Sequence, residues 1–175
     1  MTSTNLTRTE AETRAKMIGD VNYDVTIDIT ASDSTFPSTT VVTFGVTQAG
    51  DTFIDLIAAE LESVTLDGED ITQECLTDGQ YLPANGLPLR ALSVGEHVLE
   101  VVATCQYSNT GQGLHRFVDP VDDEVYFYTQ FETADAKRVF ACFDQPDLKA
   151  TYSLHLTAPK EWEVIMNTAE QRRGT

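Results

Sequence analysis

Between residues 22 and 29 the apolar side chains fall on every second position. Tyr23, Val25, Ile27 and Ile29 alternate with Asn22, Asp24, Thr26 and Asp28. Successive side chains of a strand point to opposite faces, so this order buries one face and wets the other. Similar short runs recur along the chain. Residues 39–48 and 52–58 are predicted strands. Leu61–Leu66 and Ile71 flank Asp67-Gly68-Glu69-Asp70, and Asp-Gly supplies the positive φ that a tight hairpin turn needs. Residues 77–95 read as loop with short strands, 97–107 as a long strand, and 108–123 as a loop punctuated by Gly111, Gly113 and Pro120. Further strands are predicted at 124–131, 149–158 and 162–167, with a helical turn at 133–139 and a turn at 143–147. Many short strands with turn signals between them predict an all-β sandwich or curved sheet.

One helix precedes them. Thr7 and Glu10 have the spacing of a capping box, and residues 7–18 form a short, polar helix expected to lie on a surface. At 175 residues one domain with a real core is expected, spanning 1–175.

The charge balance narrows the partners. There are 28 acidic residues against 11 basic, a net −17. Nucleic acid and anionic membrane surfaces both select for Lys and Arg, so neither is an expected partner. No apolar run reaches the ~20 residues of a membrane span. Met1–Arg8 carries no apolar core of a signal peptide. Cys75, Cys105 and Cys142 are an odd number at wide spacing, which fits reduced thiols in a cytoplasmic protein. Cys105 and Cys142 read as small core residues.

Residues 126–150 carry the most specific signal. A predicted strand sets an amide, Gln130, and a carboxylate, Glu132, two positions apart at its end. Period two puts Tyr126, Tyr128, Gln130 and Glu132 on one face, with Phe127, Thr129 and Phe131 on the other. Such a pair suits the grip of a small cationic group. On residue type alone, a single strand-end Glu is more often a solvated charge at a helix start. Gln130 has an equally plain reading as a strand amide bonded to backbone. For Tyr126 and Tyr128, packing in the sheet or core is the leading expectation. Asp144, close to Pro146, is expected to cap its turn.

Gln130-Phe131-Glu132, Lys137, Phe140-Ala141-Cys142-Phe143-Asp144-Gln145-Pro146 and Lys149-Ala150 together resemble the N-terminal domain of M1-family zinc aminopeptidases, the aminopeptidase N type. The likeness extends to Met166-Asn167, upstream through Thr110–Phe117, and more weakly back to about Val21. Ala141 stands where the family usually has Pro, and Lys137 where Arg is common.

The resemblance implies a saddle-like or sandwich β domain. It implies that Glu132 accepts a hydrogen bond from the α-ammonium of a peptide with a free N-terminus, while Gln130 orients the first residue. His97, His115 and His155 include no pair spaced i, i+4, and no His-Glu-x-x-His occurs. The family's zinc and general base are therefore expected outside this chain, in a catalytic domain of the same polypeptide, and the chain alone is expected to be inert. No residue here is expected to be catalytic or to bind metal. The main rival is a stand-alone β-sandwich module that binds peptides or proteins. Zinc-enzyme relatives acting on other groups, such as epoxides, are a third class. In those relatives the family's Glu is replaced, so Glu132 favours the aminopeptidase.

Overall fold

The computed structural model describes residues 6–174. Helix α1 spans Arg8–Met17, and its start is capped as predicted. The Thr7 N–H donates to Glu10 Oε2 at 2.8 Å, and the Glu10 N–H donates to Thr7 Oγ1 at 3.3 Å. The helix lies on the surface as expected, with one face tucked in: Arg14 is 1% exposed and Met17 is also buried. A long cationic side chain reads as surface in sequence, but here it is paired inside the protein.

Among the described residues ten strands come after the helix. The main sheet contains β1 (Ile18–Asp28), β2 (Thr35–Val46), β4 (Glu60–Leu66), β5 (Glu69–Asp70), β7 (Gly95–Gln106) and β10 (Ala150–Thr157). Its order is β10-β1-β2-β7-β4-β5. Only β10 runs parallel to its neighbour, entering with Ala150 beside Val21. β3 (Gly50–Ile54) and β6 (Leu87–Leu92) form a two-stranded sheet, and β8 (Gly113–Val118) and β9 (Val125–Gln130) form another.

The core arises from the alternation. Along β1, Val21, Tyr23, Val25 and Ile27 are buried, and along β2 so are Phe36, Val42, Phe44 and Val46. Cross-strand register lays Tyr23, Val42 and Leu99 side by side. Ile54 of β3 with Leu87 and Leu89 of β6 are fully buried in the same cluster, together with Val139, Ala141, Cys142 and Phe143. Burial of side chains of this size contributes about 1.5–3 kcal/mol each, so this shared core holds the layers together. The fold is an all-β sandwich with a short N-terminal helix.

The Asp67-Gly68 turn forms as predicted, with φ of 52° and 86°. Three predictions need correction. The strand expected over 52–58 ends at Ile54. Residues 113–118, expected in a loop, are strand β8. The flanking glycines and proline marked a loop, and Leu114-His115-Arg116-Phe117 lacks a clean alternation that would have argued against it. Residues 162–167, expected as a strand, have no regular structure. Their apolar side chains do not supply a buried face, since Ile165 is 86% exposed. Trp162 packs on Phe127 of β9, with ring centroids 5.4 Å apart, rather than holding a last strand to the sheet.

Candidate functional site

The β8–β9 hairpin carries the candidate pair. Its register sets Gly113 opposite Gln130, Leu114 opposite Thr129 and His115 opposite Tyr128. Phe127 fixes the inner face of β9 against Tyr107 at 4.9 Å and against Trp162. Tyr126, Tyr128 and Gln130 are exposed on the outer face. Tyr128 stacks on His115 at 4.7 Å, and the Tyr126 hydroxyl donates to Asp122 Oδ2 at 2.9 Å. Sheet packing therefore describes Tyr128, and neither tyrosine enters the core.

Strand pairing ends at Gln130, so Glu132 lies just outside β9, at the start of the turn over residues 132–135. This corrects the predicted strand by one residue. The exposure pattern nonetheless continues through it. Glu132 is exposed, while Phe131 is half-buried with its ring edge-on to Phe140 at 6.0 Å. The amide and the carboxylate thus flank an anchored aromatic and both face solvent. The peptide bond between Glu132 and Thr133 is cis.

The segment beyond Glu132 is bound tightly to the body. The helical turn predicted at 133–139 is a single 3-10 turn, Ala136–Arg138. The Lys137 N–H donates to Asp144 Oδ2 at 3.2 Å. Asp144 thus caps through its side chain, though it caps this upstream turn. Burial pushes the Asp144 carboxyl above the usual range, against the opposing pull of the Lys137 N–H and charge. The Asp144 N–H in turn donates to Asp55 Oδ2 at 3.1 Å. Cys142 and Asp55 exchange backbone hydrogen bonds at 2.9 and 3.0 Å. The Tyr23 hydroxyl accepts from the Phe143 N–H at 2.9 Å.

Arg14 completes this arrangement, and sequence reading missed it. Its Nη1 donates to Asp55 Oδ2 at 2.7 Å and to the Phe53 carbonyl at 3.3 Å, and its Nε donates to Gln145 Oε1 at 3.0 Å. Gln145 Nε2 donates back to the Ala11 carbonyl of the helix at 2.9 Å. The guanidinium also lies 4.8 Å from the Phe53 ring centroid. Helix α1, β3 and the Asp144-Gln145-Pro146 loop are thereby tied together.

The histidines have other partners. His97 Nδ1 lies 2.6 Å from Asp67 Oδ2 and its Nε2 2.9 Å from the Ser93 carbonyl. His115 Nδ1 accepts from the Gly111 N–H at 3.0 Å, and Arg116 donates to Asp33 Oδ1 at 2.6 Å. His155 is exposed beside Asp24. Among the described residues no group of three or more His, Cys, Asp or Glu side chains is placed to hold a metal ion. The described residues therefore offer no fitting site for a zinc.

Residues 20–175 match the model of the Peptidase M1 N-terminal domain. This chain belongs to that family. It is 47% identical to the aminopeptidase N of Streptomyces lividans over 96% of its length, covering 19% of that protein. It is 30% identical to the aminopeptidase N of Lactobacillus delbrueckii subsp. lactis over 86% of its length, covering 18% of that relative. A probable M1 family aminopeptidase of Encephalitozoon cuniculi is 41% identical over 45% of the chain and 9% of its own length. The chain thus spans about a fifth of the aminopeptidase N relatives. In this M1 domain Phe143 and Gln145 of the segment around Asp-Gln-Pro are buried, and Gln130 and Glu132 are exposed to solvent. No helix among the described residues is long and apolar enough to cross a membrane.

Proposed function

We propose that residues 1–175 form the amine-anchoring N-terminal domain of a zinc-dependent aminopeptidase, which removes N-terminal residues from peptides. The observation that carries this reading is the placement of Gln130 and Glu132. Both are exposed, they flank the anchored Phe131, and the chain just beyond them is hydrogen-bonded to the Asp144 loop through the Lys137 N–H. Glu132 accepts the charged hydrogen bond of the substrate's α-ammonium. Gln130 offers both donors and an acceptor, so it orients the first residue without adding charge. An enzyme that counts one residue from a chain end needs a fixed anion for the amine. A peptide lacking that amine leaves the carboxylate desolvated and unpaired, which is costly. The relatives' names, aminopeptidase N, support the substrate class.

Zinc and the groups that cleave the bond belong, in this reading, to the catalytic domain of the same polypeptide, so the 175-residue chain alone does not hydrolyse peptides. Its three cysteines are free and buried, in keeping with a cytoplasmic protein.

The test is Glu132→Ala in the full-length enzyme. With substrate and the catalytic domain covering it, Glu132 becomes one partner of a buried charge pair, and losing one partner of such a pair costs about 2–5 kcal/mol, so kcat/KM falls by roughly 30-fold to several thousand-fold. Glu132→Gln keeps the shape, loses the charge and also weakens activity. N-acetylated peptides are poor substrates of the wild type. A Glu132→Ala enzyme within about threefold of wild type removes Glu132 from the site.

A further inference from the structure

We propose that Arg138 is a positioning residue that sets the direction in which Gln130 and Glu132 are presented, an inference that rests on reading those two as the amine anchor. Gln130 is held by its cross-strand partner Gly113. Gly113 has φ of +64°, and a Cβ built there would come 2.8 Å from Arg138 Cβ and 3.2 Å from its Cδ. The stem of Arg138 therefore lies directly on the backbone that pairs with Gln130. Any side chain at position 113 would push it off.

The head of Arg138 reaches the other half of the pair. Its Nε donates to Asp135 Oδ1 at 2.6 Å, and its N–H donates to the Asp135 carbonyl at 3.2 Å. The Asp135 N–H donates to the Phe131 carbonyl at 3.0 Å, closing the turn that begins with Glu132. One side chain thus spans from the residue opposite Gln130 to the residue that ties down the Glu132 turn. Without it, strand β8, which pairs with Gln130, and the turn that begins with Glu132 lose their shared support, and the two side chains are held only through the Phe131 anchor between them. A small error of placement at an anchoring site lowers rate steeply, by about a hundredfold for 1 Å.

Arg138 is suited to mutation because its side chain is 36% exposed. Truncation opens the surface and leaves the core cluster whole.

The experiment is a double-mutant cycle in the full-length enzyme, with kcat/KM measured on a free-amine peptide substrate. Arg138→Ala is expected to lower kcat/KM about tenfold or more in the wild-type background and by a clearly smaller factor once Glu132→Ala is present, leaving only the part that acts through Gln130, because coupled residues are non-additive. Asp135→Asn retains the Oδ1 acceptor and stays near wild type, whereas Asp135→Ala matches Arg138→Ala. A purely structural loss lowers activity equally in both backgrounds, and that result overturns the inference, as does an Arg138→Ala enzyme at wild-type activity. If Arg138→Ala fails to fold, the contrast between the two Asp135 variants decides, and equal activity of those two overturns it. If Glu132→Ala alone has no effect, the anchor reading itself falls and takes this inference with it.

Discussion

Arg14 Nη1 and Asp55 Oδ2 form an ion pair at 2.7 Å, with side chains only 1% and 12% exposed. This pair joins the N-terminal helix to the segment that follows β3 and bonds Cys142 and Asp144. Removing one member strands the other charge in the interior, which costs about 3–5 kcal/mol. Arg14→Ala is therefore expected to lower the urea midpoint by that amount of stability and to speed hydrogen exchange in Arg8–Met17. A loss below about 1 kcal/mol would show that the helix is dispensable. Arg14→Met with Asp55→Leu restores apolar packing and recovers part of the loss, because a buried pair is often replaceable by a hydrophobic one.

The His97–Asp67 pair gives a pH dependence. Burial by itself pushes the His97 imidazole down, but the Ser93 carbonyl and then Asp67 outweigh it, and its pKa is raised. Burial likewise pushes the Asp67 carboxyl up, while the Val98 N–H and His97 outweigh that and hold it low. A raised histidine stabilises fully below its unfolded value of about 6.5 and loses this as pH rises through the folded pKa. A lowered aspartate stabilises above its unfolded value of about 3.9 and loses this as pH falls through the folded one. The pair is thus at full strength between about pH 4 and about pH 6.5. An NMR titration should place the His97 midpoint above that of an ordinary histidine, and Asp67→Asn should bring it down. A His97 midpoint at or below the ordinary value refutes the assignment.

The three thiols are expected to be inert in the native chain. Burial is the main cause in each case, raising Cys75 to about 11, Cys105 to about 12 and Cys142 well above its ordinary value. The thiolate is the reactive form. At about pH 8 a disulfide reagent should label the folded protein only at its rate of opening, and label all three cysteines at once in denaturant. Fast stoichiometric labelling of native Cys142 would contradict its placement beside Asp55.

Much of this was legible in the chain, for a physical reason. Alternation marks a strand with one buried face, and β1, β2 and β7 show it plainly through Tyr23, Val42 and Leu99. The Asp67-Gly68 turn and the Thr7–Glu10 box are local chemistry, read from neighbours in sequence. The hidden features depend on contacts far along the chain. Arg14 meets Gln145 across 131 positions, and no local signal says that this arginine, rather than Arg8, is buried. Strand β8 was masked by its glycines, one of which is there because Arg138 lies on it. Gln130 and Glu132 were visible by resemblance, but the end of the strand at Gln130 depends on where β8 begins.

The outer edge of β10 gives the last prediction. β10 lies at one end of the six-stranded sheet and pairs with β1 alone among the described strands. Ala150, Thr151, Tyr152 and Ser153 are exposed. An uncovered edge presents a row of free N–H and C=O groups that can pair with another strand. The Thr157 carbonyl accepts from the Ile29 N–H, so position 157 and its alternates turn toward β1, and Tyr152 and Leu154 turn their backbone outward. Weak self-association of the 175-residue chain along this edge is expected at high concentration. The net charge of −17 opposes it, so raising the salt from low to physiological strength should strengthen it by screening. Tyr152→Lys, which puts a charge on the edge, should abolish it. Sedimentation velocity at several concentrations and two salt levels tests all three statements, and a strict monomer in every condition rules out edge pairing.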